Sequence, residues 1–173
     1  KVEVRKALNM AINKQAIIDA VFQGAAVPAK NPIPPTMWSY NDAVQDDPYD
    51  PEKSQQMLKD AGVENLSMKI WAMPVSRPYM LNARRAAELM QADLQKVGVS
   101  AEIVSYEWGE YLEKSKAKDR DGAAMLGWTG DNGDPDNFLY VLLDKTAAVK
   151  PAQNIAFYKS DELHEVLVAA RRS

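Results

Sequence analysis

From residue 67 onward the hydrophobic period of the chain switches back and forth between two and three-to-four residues, and this alternation limits the fold more than any other feature. Ser67 to Met73 alternates, as a strand does. Leu81 to Val97 lines up Ala83, Ala87, Met90, Leu94 and Val97 on one helical face, with Gly98 placed to end the helix. Val99 to Tyr106 reads as a second strand, and Trp108 to Ala117 as a helix with Tyr111 and Leu112 inward. Gly122 to Trp128 is short and continuously apolar, the pattern of a strand covered on both faces. Pro135 to Leu143 is a further short helix. Strands joined by crossover helices pair in parallel. The pattern predicts an α/β fold, a parallel-strand, three-layer piece with helices on both faces of the sheet.

The region before residue 67 is helical with one long interruption. Val4, Leu8, Ala11 and Ile12 share a face, and Asn13 is placed to cap a second helix carrying Ile17, Ile18, Val21 and Phe22 and stopping at Gly24. Residues 25–49 hold five prolines and little periodicity, which predicts a long irregular loop. Trp38 and Tyr40 favour an ordered loop that packs on something. Asp50-Pro51-Glu52 opens a helix with Met57, Leu58 and Ala61 inward. At the other end, residues 144–159 read as irregular, and Ser160 or Asp161 caps a last helix with Leu163, Val166, Leu167 and Ala170 inward. All 173 residues are expected to form one lobe that includes the loop 25–49. Lys1 opens without Met, and Arg171-Arg172-Ser173 falls inside a helical pattern, so both ends read as cuts within a longer protein.

Composition excludes several chemistries. The formal charge is -3, whereas a dedicated nucleic-acid binder needs a basic excess to neutralise phosphate. No stretch approaches eighteen consecutive apolar residues. There is no Cys, which removes disulfides, thiolate catalysis and cysteine-ligated metals. The one histidine, His164, makes a Ser-His-Asp triad or a multi-histidine metal site hard to build, and its charged surroundings predict exposure. The eight Met residues are scattered and read as core filler.

In open α/β sheets, ligands bind beyond the carboxyl ends of the strands. Three segments meet that description: Pro74 to Tyr79, Glu107-Trp108, and Thr129 to Asp136. The run Gly127 to Asp136 contains three glycines, three carboxylates and Trp128. Glycines such as Gly130 let the backbone approach a ligand closely. A calcium loop of the EF-hand type fails, because the twelfth residue from Asp131 is Leu142 rather than Glu. A phosphate loop fails, because no Lys-Ser or Lys-Thr pair follows the glycines. Three acids suit a cation or an amine. Asp134, before Pro135, reads as a helix cap; Asp131 is open between turn and ligand, and Trp128 between core and stacking. An arginine fork such as Arg77 binds a carboxylate with two parallel bonds. Tyr79 beside it is a staple, a core residue or a ligand contact. An Arg at one strand end and an Asp at another would offer opposite charges to a zwitterion, such as an amino acid or short peptide. Glu107, Glu110 and Glu113 read as a solvated helix face, and Arg84-Arg85 as facing solvent or an acid.

The segment Val4-Arg-Lys-Ala-Leu-Asn-Met-Ala-Ile-Asn-Lys-Gln-Ala-Ile-Ile resembles the helix pair of the family-five extracellular solute-binding proteins, the peptide- and nickel-binding components of ABC importers. The resemblance continues through Ile33-Pro-Pro-Thr-Met-Trp, Tyr49-Asp-Pro-Glu-Lys, Arg77-Pro-Tyr, Ile103-Val-Ser-Tyr-Glu-Trp-Gly-Glu-Tyr-Leu and Gly127-Trp-Thr-Gly-Asp-Asn-Gly-Asp-Pro-Asp-Asn-Phe. It is closest to the dipeptide-binding branch and covers residues 1 to about 143. It implies most of the C-terminal lobe of a two-lobed, type II-like periplasmic-binding-protein fold that closes on its ligand. In that branch the Arg of Arg-Pro-Tyr holds the ligand carboxylate and the Asp of Trp-Thr-Gly-Asp holds its amine, which carries over to Arg77 and Asp131. One departure is that some relatives have a cysteine pair after the helix ending near Leu143, whereas residues 144–157 have none.

The resemblance implies a non-catalytic, monomeric binding component, periplasmic or tethered outside the cell, that captures dipeptides or short peptides for an ABC permease. The candidate ligand-binding set is Arg77, Tyr79, Trp128, Gly130 and Asp131, with no catalytic residue, metal or cofactor. The alternatives are the same family with a longer peptide, haem or an opine, an α/β enzyme fragment using Asp131 or Asp134, or a structural lobe whose acids only cap turns.

Overall fold

The computed structural model describes residues 1–149 and 153–172. The chain divides into two compact units, one formed by residues 1–28, 46–111 and 121–127, the other by residues 29–45, 112–120 and the chain from Trp128 on.

The first unit opens with two helices, α1 (Val2–Ala11) and α2 (Lys14–Phe22), and a third, α3 (Pro51–Asp60), follows the loop. Their starts are set locally. Asn13 Oδ1 accepts the Ala16 amide at 3.0 Å, and Asp50 Oδ1 accepts that of Lys53 at 2.9 Å. α1 packs on α3, where the buried Ser54 hydroxyl donates to the Ala7 carbonyl at 2.7 Å. Strand β1 (Ser67–Trp71), helix α4 (Ala83–Lys96), strand β2 (Ser100–Val104) and strand β3 (Ala123–Ala124) complete the unit. The sheet is parallel throughout, with β1 in the centre: Ser67 pairs with Ser100 through to Trp71 with Val104, and Ile70 and Trp71 pair with Ala123 and Ala124.

Successive strand residues point to opposite faces. Ile70 and Trp71 are both buried, so both faces of the central strand are covered, as the three-layer expectation requires. Helix α4 packs against β2 and β1 along Ala83, Ala87 and Leu94, and Gly98 takes φ +82° after it.

The strand expected over Gly122 to Trp128 is only two residues long, with Ala123 exposed and Ala124 half-buried. It is an edge strand against β1, which itself ends at Trp71, so the ladder has no partner to follow. Gly122 is required at its start: at φ +76° a Cβ there would lie 2.2 Å from the Lys69 carbonyl oxygen.

Helix α5 (Trp108–Ser115) begins in the first unit and runs into the second, which also contains α6 (Asp136–Leu143), a 3-10 turn over Lys145–Ala147 and α7 (Asp161–Ala170). Ser160 Oγ accepts the Leu163 amide at 3.1 Å. The inward face of α7 differs in part from expectation. Val166 is 60% exposed and Ala170 is exposed, whereas Leu167 is buried. Leu163 and His164 are half-buried and Leu167 is buried, while Arg171, just past the helix, is exposed. His164 Nδ1 lies 2.7 Å from Asp144 Oδ2, and Arg171 pairs with Asp136 at 3.1 Å while lying over the Tyr140 ring. The contact with Asp144 corrects the expected exposure of His164, which is half-buried. The loop 25–49 is irregular as expected; Tyr40 is half-buried beneath Lys30, but Trp38 is 79% exposed rather than packed. Of the irregular stretch 144–159, residues 150–152 lie outside the described residues.

Candidate functional site

Arg77 and Tyr79 share one turn of the first unit, beyond the carboxyl end of β1. Arg77 and Met80 exchange backbone hydrogen bonds of 3.0 and 2.9 Å across Pro78 and Tyr79. Pro78 suits the second position of such a turn because its ring presets φ. The half-buried Arg77 places its guanidinium carbon 4.6 Å from the centroid of the Trp108 ring. Trp108 stacks on Tyr111 with centroids 5.7 Å apart, and Tyr111 meets Trp71 edge-on at 5.8 Å. An aromatic column thus roots Arg77 in the central strand. Among the described residues no carboxylate pairs with it, so its N–H fork is uncommitted. Tyr79 is half-buried; its hydroxyl lies 3.8 Å from the Met73 sulfur, and its ring packs on Gly127, where a Cβ would come within 2.3 Å.

Trp128, Gly130 and Asp131 share one loop of the second unit, on the first turn of α6. Trp128 Nε1 donates to Asn137 Oδ1 at 2.9 Å, and the Asp131 amide donates to the same oxygen at 3.1 Å. Asn137 Nδ2 donates in turn to Asp131 Oδ2 at 3.3 Å. Gly130 lies over the Phe138 ring, where a Cβ would approach to 2.6 Å. Asp131 is exposed, and the amide of Asn137 is its one hydrogen-bond donor among the described residues. Asp134 Oδ1 accepts the Asp136 amide at 2.8 Å in the turn before α6, but the N-cap position is Pro135 and no side chain caps the helix, so the expected cap at Asp134 is not formed.

Trp108, against Arg77, and Asn137, against Asp131, are contacts of the candidate residues that sequence reasoning missed. Trp108 was visible as a strand-end residue, but nothing local ties it to Arg77. Glu107, Glu110 and Glu113 are exposed as expected, and Glu107 also caps α5, its Oε2 accepting the Gly109 amide at 2.8 Å and the Glu110 amide at 3.3 Å. Arg84 and Arg85 meet an acid, Glu88. No group of three or more metal-ligating side chains occurs among the described residues, and no helix there is long and apolar enough to cross a membrane.

Residues 1–150 match the profile of the bacterial extracellular solute-binding proteins, family 5, middle region. The chain belongs to this family. Within family 5 it is 61% identical over 148 residues to a dipeptide-binding protein of Escherichia coli K12, an alignment covering 85% of this chain and 28% of that protein. It is 48% identical over 167 residues to heme-binding protein A of Haemophilus influenzae Rd, covering 96% of this chain and 30% of that protein. It superposes with a TM-score of 0.93 and 39% identity on a dipeptide-binding protein of Pseudoalteromonas sp. SM9913 solved with Met-Leu, covering 98% of this chain and 33% of that one. The chain therefore spans a third or less of the length of these relatives, and its α/β architecture with a parallel sheet is that of the two-lobed periplasmic binding proteins.

Proposed function

We propose that this chain supplies ligand-binding surface to the substrate-binding component of an ABC importer that captures dipeptides or short peptides. The observation that carries it is that each unit presents a charged group on a built support: Arg77 lies over the Trp108 ring with no carboxylate partner among the described residues, and Asp131 is an exposed carboxylate held by Asn137. A short peptide is a zwitterion. Arg77 takes its carboxylate with two parallel bonds, and Asp131 takes its ammonium. Tyr79, beside Arg77, and Trp128 and Gly130, beside Asp131, complete the proposed ligand-binding set. Recognition through the termini leaves side-chain selectivity loose. No bond is made or broken, so the protein is a carrier and not an enzyme. The similarity to dipeptide-binding proteins at 61% and 39% identity supports the same ligand class. The protein works as a monomer in the periplasm, or tethered outside the cell, and delivers to a membrane permease.

The similarity to a heme-binding protein gives the second possibility a specific basis. Calorimetry of the complete protein with dipeptides, tripeptides, single amino acids and haem separates the two. Dipeptides are expected to bind with a Kd of about micromolar or tighter. Haem binding without peptide binding would overturn the proposal.

A further inference from the structure

We infer that Asn137 is a positioning residue that holds the Asp131 carboxylate in the orientation that receives a ligand ammonium. The inference rests on the proposed role of Asp131.

Two donors, Trp128 Nε1–H at 2.9 Å and the Asp131 backbone N–H at 3.1 Å, converge on one atom of the Asn137 side chain. Indole and amide nitrogens only donate, so that atom is the carbonyl oxygen, and the amide orientation follows from chemistry. The NH2 group is thereby turned toward Asp131 Oδ2, at 3.3 Å. One side chain thus grips both the backbone and the carboxylate of Asp131 and ties both to Trp128.

The grip is anchored on a regular element. Asn137 is in the first turn of α6, and its neighbour Phe138 is buried beneath Gly130. A loop that carries three glycines would otherwise let Asp131 sample many directions. Asn137 donates to one carboxylate oxygen only, so Oδ1 and the remaining lone pairs of Asp131 stay available to the three protons of an ammonium. A neutral amide does this without adding charge; a Lys at the same place would compete with the ligand for the carboxylate.

The test is a double-mutant cycle by calorimetry on the complete protein with a free-amine dipeptide, using the wild type, Asn137→Leu, Asp131→Asn and the double variant. Leu keeps the shape of Asn and removes its hydrogen bonds. Asn137→Leu is expected to weaken binding about tenfold, the worth of one hydrogen bond to a charged group. In the Asp131→Asn background the same change is expected to cost less than about twofold, because its target is gone. Trp128→Phe, which leaves both bonds from Asn137 to Asp131, is expected to cost less than Asn137→Leu. An equal loss from Asn137→Leu in both backgrounds would show that Asn137 only supports the fold and would overturn the inference. Unchanged affinity in Asp131→Asn would instead overturn the ammonium role of Asp131, and that arm is read by itself.

Discussion

The guanidinium of Arg77 lies face-on to the indole of Trp108, 4.6 Å from the ring centroid, and that indole is itself stacked on Tyr111. A guanidinium held this way keeps its edge N–H groups for a planar partner such as a carboxylate. Replacing Trp108 by Ala removes the surface that orients the fork. Dipeptide affinity of the complete protein is expected to fall by about 0.5–2 kcal/mol, the range of a cation–π contact, and Trp108→Tyr should retain part of it. Calorimetry on the two variants measures this; unchanged affinity in Trp108→Ala would mean that Arg77 needs no such support.

The fully buried Tyr111 hydroxyl lies 2.9 Å from the Trp71 carbonyl oxygen and 2.8 Å from that of Met125. Its single proton is shared between two chain segments of the first unit. Tyr111→Phe leaves these carbonyls short of a donor and is expected to cost about 1–3 kcal/mol. A thermal melt should show a Tm lower by several degrees, about 2–4 °C for each kcal/mol in a chain of this size.

What the sequence revealed depends on the range of the interaction. The caps at Asn13, Asp50 and Ser160 were legible because donor and acceptor are three residues apart. The parallel sheet was legible because its strands and crossover helices differ in period. The length of β3 was not, since it depends on where β1 ends. Part of the inward face of α7 was misjudged: Leu163 is half-buried and Leu167 buried as expected, but Val166 and Ala170 are exposed, and His164 is held by Asp144, 20 residues away. Arg77 and Asp131 stand out in the sequence as candidates by charge and position, whereas Trp108 and Asn137, which touch them, make contacts that no local pattern encodes.

Asp144 is fully buried and accepts from the Thr146 hydroxyl at 2.5 Å and amide at 2.8 Å, with His164 at 2.7 Å. Burial pushes its carboxyl up, but the Thr146 donors and His164 outweigh burial and hold it below the usual value of 3.8. A depressed folded value favours the folded state above the unfolded value, and the benefit disappears as pH falls through the folded one. Stability should therefore drop on acidification below about pH 4, and Asp144→Asn should flatten that part of the profile while lowering stability at neutral pH. Urea melts between pH 2 and 7 provide the test; an unchanged acid limb in the variant would remove Asp144 from the cause.

Gly130 has no room for a side chain, since a Cβ would come within 2.6 Å of the Phe138 ring. Gly130→Ala is expected to destabilise by about 1–3 kcal/mol, as overpacking does. Phe138→Leu withdraws the offending ring edge, so the double variant should cost less than the sum of the two single changes. Strict additivity in thermal melts would show that the ring moves aside freely.

Terminal-charge recognition is tested most directly by matching each end of the ligand to one variant. Arg77→Ala and Asp131→Asn of the complete protein would be titrated with a free dipeptide, its N-acetyl form and its C-terminal amide. Each variant is expected to lose about 2–5 kcal/mol toward the free dipeptide, the cost of breaking a desolvated charge pair. Arg77→Ala should then lose little further affinity for the amide, which has no carboxylate, and Asp131→Asn little for the N-acetyl form, which has no ammonium. Equal losses toward the free and the matched blocked ligands in both variants would contradict terminal-charge capture by Arg77 and Asp131.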